Sequence, residues 1–276
     1  MINKTGNIQT FLGCDAAYED AKIVLFGVPY DSTTTNRPGT RFAPAAMRSE
    51  SYGLETFSPY QNADLENVTV YDAGELEVPF GRPEPMLEAV ENAVAEILED
   101  DKIPLMIGGE HLITLGAVRA CAAKYPDLHI IHFDAHTDLR EEYLGEELSH
   151  STVMRHCLRL VDASKIYQFG IRSGTKEEFQ LARTLGEKPV PQDVPIYLTL
   201  DLDVLDPSAL PGTGTPEAGG WSFLDLLETL LSMKNLNIIG CDIMELAPNY
   251  DHSGISTATA CKILRELILI LTAKEK

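Results

Sequence analysis

Short runs of apolar, often β-branched residues alternate along the chain with longer stretches in which apolar positions recur every three to four residues. The short runs predict strands at Lys22–Val28, Val68–Tyr71, Pro104–Ile107, His129–Phe133, Lys165–Phe169, Ile196–Leu200 and Asn237–Cys241. The longer stretches predict helices over Pro85–Leu98, Leu112–Lys124, Thr152–Val161, Lys176–Leu185, Ser222–Met233 and Ser256–Ala273. This alternation belongs to an α/β fold, a mostly parallel sheet covered by helices on both faces; rhythm alone does not separate an open sheet from a barrel. No repeat, low-complexity segment or composition break interrupts it, so one domain is expected over residues 1–276. The stretch Gly186–Pro195, with three prolines, reads as a loop.

Functional groups in such sheets collect just past the carboxyl ends of the strands. Four strand ends here carry them: Glu110 and His111 after a Gly-Gly turn; Asp134, His136 and Asp138; Asp201 and Asp203; and Asp242 with Glu245. Spacing by two at the end of an extended run puts alternate side chains on one face, so Asp134, His136 and Asp138 can converge, as can Asp201 and Asp203. Carboxylates gathered at the end of a buried sheet repel one another unless a cation lies among them. One D-x-D after a strand is a common solvated turn, but three such motifs together favour a metal site. Four aspartates and two histidines can hold two ions with shared carboxylates, as in two-metal hydrolases, and oxygen ligands with imidazole and no thiolate suit Mn²⁺. Two ions placed this way lower the pKa of a water from 15.7 to about neutrality, so no serine or cysteine nucleophile is needed.

The 276 residues include 22 Lys+Arg against 42 Asp+Glu, a formal charge of −20, which repels phosphate backbones and anionic lipid and favours a cationic ligand. Nucleic acid is therefore not an expected partner. The five cysteines are scattered without a C-x-x-C pair, the start MINKTGNIQT has no apolar leader run, and the longest strongly apolar run, Leu267–Leu271, is far short of the ~20 residues of a membrane span. A cytoplasmic protein without a membrane segment is expected.

The blocks GGEH (108–111), FDAHTD (133–138), SHST (149–152), DLDVLDPSALPGTGTPEAGG (201–220) and DIMELAP (242–248) resemble the signature blocks of the ureohydrolase superfamily of arginases and agmatinases. The segments GVPYDSTTTNRPGTRFAP (27–44) and LETFSPY (54–60) are similar to its agmatinase branch. The resemblance covers about Ala21 to Leu269. It implies a three-layer α/β/α domain around a sheet of about eight mostly parallel strands, two Mn²⁺ per subunit, hydrolysis of a guanidino group with release of urea, and assembly as a homotrimer or homohexamer. Between Arg172 and Ile196 the family usually carries a further strand and helix, and only about two dozen residues stand there.

Carried over residue by residue, the resemblance makes His111, Asp134, His136, Asp138, Asp201 and Asp203 the metal ligands, with the bridging carboxylates left open. Glu245 takes the substrate guanidinium, which suits a carboxylate accepting two parallel N–H bonds. His150 matches the loop histidine that shuttles protons, and Asp138 is the candidate to pass a proton to the leaving amine. His129, His132 and His156 are read as structural or as supports of the ligands, and Cys241 and Trp221 as packing residues.

Arginases resemble one another in an Asn two residues after the last ligand of the DAHTD block and in a Ser-Gly-Asn run before the loop histidine. Here the corresponding stretches are Leu139-Arg140-Glu141 and Glu146 to His150. Agmatine, cleaved to putrescine and urea in polyamine biosynthesis, is thus the expected substrate, with Glu141, Glu142, Glu146 and Glu147 as candidates to meet its ammonium end. Arg140 argues the other way, and 4-guanidinobutyrate, 3-guanidinopropionate or arginine is the alternative. A related metal-dependent deacetylase and a catalytically silent metal-binding homologue are the remaining readings.

Overall fold

The central strands are mostly apolar on both sides, and the structure, a computed structural model describing residues 9–187 and 189–273, buries both sides. Nine strands form among the described residues: β1 Ile23–Gly27, β2 Phe57–Ser58, β3 Ala63–Asp64, β4 Val70–Glu75, β5 Ile103–Ile107, β6 His129–Phe133, β7 Ile166–Phe169, β8 Ile196–Asp201 and β9 Ile238–Met244. Seven of them make one sheet in the order β4-β1-β5-β9-β8-β6-β7, every neighbouring pair parallel. The helices are α1 Ala43–Ser51, α2 Pro83–Glu99, α3 Thr114–Lys124, α4 Val153–Cys157, α5 Lys176–Ala182, α6 Phe223–Ser232 and α7 Ile255–Thr272.

Strand side chains alternate between two cores. Ile23 and Leu25 of β1 join Met47 of α1, Leu226 of α6 and Leu264 of α7, whereas Val24 and Phe26 join Leu87 of α2, Val118 of α3 and Met154 of α4. Helices on each face of an open parallel sheet give the expected three layers. The sheet has seven strands among the described residues, not about eight. The short stretch after Arg172 forms helix α5 but no strand, and its proline-rich continuation lacks the N–H groups a ladder requires. Lys188 of that loop, and residues 1–8 of the stretch inspected for a leader, lie outside the described residues.

Two elements were not anticipated. Helix α1 begins with Pro44 in its first turn, where the missing N–H costs nothing. The short antiparallel pair β2-β3 packs on the charged part of α7: Ser58 and Gln61 donate to the Glu266 carboxylate, and Arg265 donates to the carbonyls of Glu55 and Phe57. These bonds, with the Arg265–Glu266 ion pair, satisfy two buried charges of the helix. Strand β9 also runs to Met244, so Asp242 lies within the sheet and not beyond its end. Among the described residues no helix is long and apolar enough to cross a membrane.

Candidate active site

Strands β5, β9, β8 and β6 are consecutive in the sheet although they are far apart in sequence, and this order brings the four motif-bearing ends together. The Gly108-Gly109 turn after β5 requires its glycines: a Cβ on Gly109 would meet the Tyr30 carbonyl oxygen, and one on Gly108 the Met244 sulfur. That tight passage delivers His111 to the first turn before α3.

His111 is 1% exposed, with Nδ1 3.1 Å from Asp134 Oδ2 and 3.3 Å from both Asp138 Oδ2 and Asp201 Oδ2. This Nδ1 atom has no hydrogen-bond geometry with any of them and is among the buried side-chain atoms without a hydrogen-bond partner among the described residues. A second group joins the first through Asp134: His136 Nδ1 is 2.9 Å from Asp203 Oδ2 and 3.3 Å from Asp134 Oδ1. Ligand-capable atoms of Asp134, His136 and Asp203 lie within 4.8 Å of one another, as do those of His111, His132, Asp134 and Asp138. All six residues expected as ligands thus meet in one place. Buried carboxylates with an imidazole nitrogen turned into them and left unbonded fit divalent cations, because only a positive charge makes that cluster favourable.

The protonation tendencies carry the same message. Burial drives the Asp201 carboxyl well up, and neighbouring Asp203 and Asp134 push it further. Burial opposes charge on His136, but Asp203 and Asp134 outweigh it and raise its pKa to about 12; Asp134, Asp138 and Asp201 raise that of His111 in the same way. The cluster thus favours positive charge on its imidazoles, and a metal ion entering the site would displace the protons that carry it.

A buried polar lattice aims these groups. Thr199 Oγ1 donates to Asp242 Oδ1 at 2.6 Å, so it accepts from His111 Nε2 at 2.9 Å and leaves Nδ1 facing the carboxylates. Tyr197 and Thr114 donate to the other oxygen of Asp242. Asp242 therefore anchors the histidine and is not itself in the carboxylate cluster. Gln168 Nε2 donates to the Thr137 carbonyl at 2.8 Å and to His132 Nδ1 at 3.0 Å. His132 must then donate from Nε2 to Asp134 Oδ2, at 2.8 Å, which makes it an orienting partner of a ligand. Nothing in the motifs singled out Thr199 or Gln168; the legible signal was a polar residue inside a strand that is otherwise apolar on both faces, where it requires a buried partner.

Asp138 and Glu245 have left-handed backbones, φ 52° and 66°, unusual for non-glycine residues and characteristic of over-determined functional sites. Glu245 is buried, held by its own N–H on the Gly109 carbonyl and by Oε1 accepting from the His111 N–H at 2.7 Å. Beside it lies Glu110, wholly buried, its pKa raised to about 7 by burial against the donors Thr33 and Thr34. These bonds fasten residues 33–34 over the site, and Thr33 Oγ1 accepts in turn from the His150 N–H. The His150 ring meets Thr35 Oγ1 at 2.9 Å; burial, with His136 and His111 nearby, lowers its pKa to about 4, so the imidazole is neutral at pH 7.

A cavity of about 280 Å³ is lined by Thr35, His111, His136, Asp138, His150 and Asp201, together with Arg140, Tyr143 and Glu178. Glu141, Glu142, Glu146 and Glu147, expected near the substrate's far end, are exposed and do not line it. His129 and His156 are elsewhere, against the Tyr167 hydroxyl and the Glu147 carbonyl, and Cys241 and Trp221 are packing residues as expected.

Comparison with known proteins agrees with this arrangement. The family model described as "Arginase family" matches residues 21–193 and 187–270. An agmatinase of Bacillus cereus is 45% identical over 95% of this chain and 96% of its own length. A human mitochondrial guanidino acid hydrolase is 34% identical over 94% of this chain and 79% of its own. The solved agmatine ureohydrolase of Thermoplasma volcanium superposes with a TM-score of 0.87 at 31% identity, covering 96% of this chain and 94% of that one. With the family model spanning nearly the whole sheet and the six acidic and imidazole side chains gathered at the ends of its central strands, the chain belongs to the arginase family.

Proposed function

We propose that this arginase-family hydrolase cleaves agmatine to putrescine and urea with two Mn²⁺ per subunit, the whole chain acting as one domain. The observation that carries the reading is the pair of His/Asp groups sharing Asp134 beside the buried carboxylate of Glu245. His111, Asp138 and Asp201 would hold one ion and His136 and Asp203 the other, with Asp134 between them. When bound, the ions supply Lewis acidity and activate water at neutral pH. The protein's own groups do the rest. Glu245, with one oxygen tied to the His111 N–H, offers the other to a guanidinium N–H. Asp138 would hand a proton to the departing amine, and neutral His150, held by Thr35, would carry one between the cavity and solvent.

Agmatine is favoured by relatives named agmatinase at 44–45% identity and by the missing arginase-type contacts. The human relative named for guanidino acids keeps 4-guanidinobutyrate as the second reading. Comparing kcat/KM for agmatine, arginine, 4-guanidinobutyrate and 3-guanidinopropionate with Mn²⁺ decides between them. Agmatine should lead by about tenfold or more, the effect of one well-placed charge contact; preference for a carboxylate-bearing substrate would overturn the choice of substrate.

For His150 the expected outcome of His150→Asn is a fall in kcat of about 10²-fold with unchanged metal content, partly restored by imidazole buffers. A variant with normal kcat would remove the histidine from proton transfer.

A further inference from the structure

Beyond the His/Asp groups and His150, the cavity wall carries one carboxylate and one guanidinium. Asp138 and Asp201 are committed to the group around His111, so Glu178 is the remaining carboxylate and Arg140 the lone Arg or Lys among the described residues that line the cavity. The two side chains meet. Arg140 Nε is 3.6 Å from Glu178 Oε2, and the guanidinium stacks on the Tyr143 ring, 4.4 Å from its centroid. Glu178 is fixed from below: Oε1 accepts from Thr137 Oγ1 at 2.8 Å and Oε2 from the Thr175 N–H at 2.7 Å, in the capping box that starts α5.

Arg140, Thr175 and Glu178 also line a neighbouring groove of about 340 Å³ whose other walls include Leu139, Glu141, Arg155 and Leu181. The pair therefore stands in the wall that the groove and the active-site cavity share, apart from the His111 and His136 groups and open to the part of a substrate remote from the reacting carbon. A free arginine there would attract a carboxylate tail. A glutamate that holds the arginine aside both cancels that attraction and offers acceptor oxygens to a cation.

Resting on the agmatinase-like reading above, we propose that Glu178 and Arg140 act as one charge-selecting pair. Glu178 receives the ammonium end of the substrate and restrains Arg140, and release of Arg140 admits an acid tail. The glutamates of the exposed loop take no part.

The test compares kcat/KM for agmatine and 4-guanidinobutyrate in the Mn²⁺-loaded wild type, Glu178→Gln and Arg140→Gln, together with calorimetric affinities for putrescine and 4-aminobutyrate. Glutamine keeps the capping box, so Glu178→Gln retains the start of α5. In that variant the agmatine-to-guanidinobutyrate ratio should fall by about tenfold or more, and in Arg140→Gln it should rise by about threefold or more. The affinities should move in the same directions. Ratios within about twofold of wild type in both variants would overturn the proposal. If Glu178→Gln fails to fold, Arg140→Gln decides alone, an unchanged ratio rejecting the pair. If the wild type releases no urea from any guanidino compound, the agmatinase reading fails, and the affinity ratios still decide whether these two residues select the charge of the tail.

Discussion

Asp203→Ala should leave a folded protein with almost no bound metal and with activity reduced by at least about 10³-fold. Asp203 faces His136 through one oxygen and receives the Ala135 N–H on the other, so its loss removes a candidate ligand and loosens the loop that carries Asp134, His136 and Asp138. Its removal also leaves His136 and Asp134 as an incomplete second group. Several kcal/mol of charge stabilisation come from a metal centre, and each 1.4 kcal/mol is tenfold in rate. Treatment of the wild type with a chelator should have the same consequence, and Mn²⁺ should restore activity to the treated wild type but not to the variant. Metal content should also decline on acidification, because His111 and His136 hold protons strongly in this acidic cluster and the ions must displace them. Full activity in protein shown by elemental analysis to be metal-free would refute the centre, and normal turnover by Asp203→Ala would refute the ligand assignment.

Glu245→Gln should keep both metal ions and lose about 10²- to 10³-fold in kcat/KM. The amide retains an oxygen for the His111 N–H, so the loop after β9 keeps its principal anchor. It has no charge with which to balance a guanidinium, and a buried cation left without its partner costs about 3–5 kcal/mol. Most of the loss should fall on the step in which the planar guanidinium is converted to a tetrahedral arrangement if the contact tightens there, and on KM if it is equal in both states. A change below tenfold would exclude Glu245 from guanidinium recognition. Because Glu245 is buried and held in a left-handed conformation, Glu245→Gly is the informative control: it relieves the backbone strain yet should be as inactive as Glu245→Gln.

The sequence by itself determined the α/β class, all seven strands of the main sheet to within a few residues, and the six acidic and imidazole side chains that gather at the ends of its central strands. Those features are local or periodic. A strand buried on both faces must be apolar throughout, so Ile196 to Leu200, with the acids Asp201 and Asp203 at its end, is readable without any knowledge of what lies beside it, whereas the turn that directs Asp201 to His111 and Asp203 to His136 is not. The tertiary structure decided what depends on strand order. The insertion of β9 and β8 between β5 and β6 is a long-range choice, and it is this order that places Asp242 under Thr199 and turns His111 into the carboxylates. It also decided the outer wall. Four exposed glutamates near the loop histidine were equivalent candidates in the sequence, whereas Glu178 sat unremarked on a helix; only packing of α5 beside the DAHTD loop brings it to Thr137 and Arg140. Side-chain identity fixes which groups can carry charge, but which charges face one another in a cavity is settled by contacts between segments that the sequence leaves far apart.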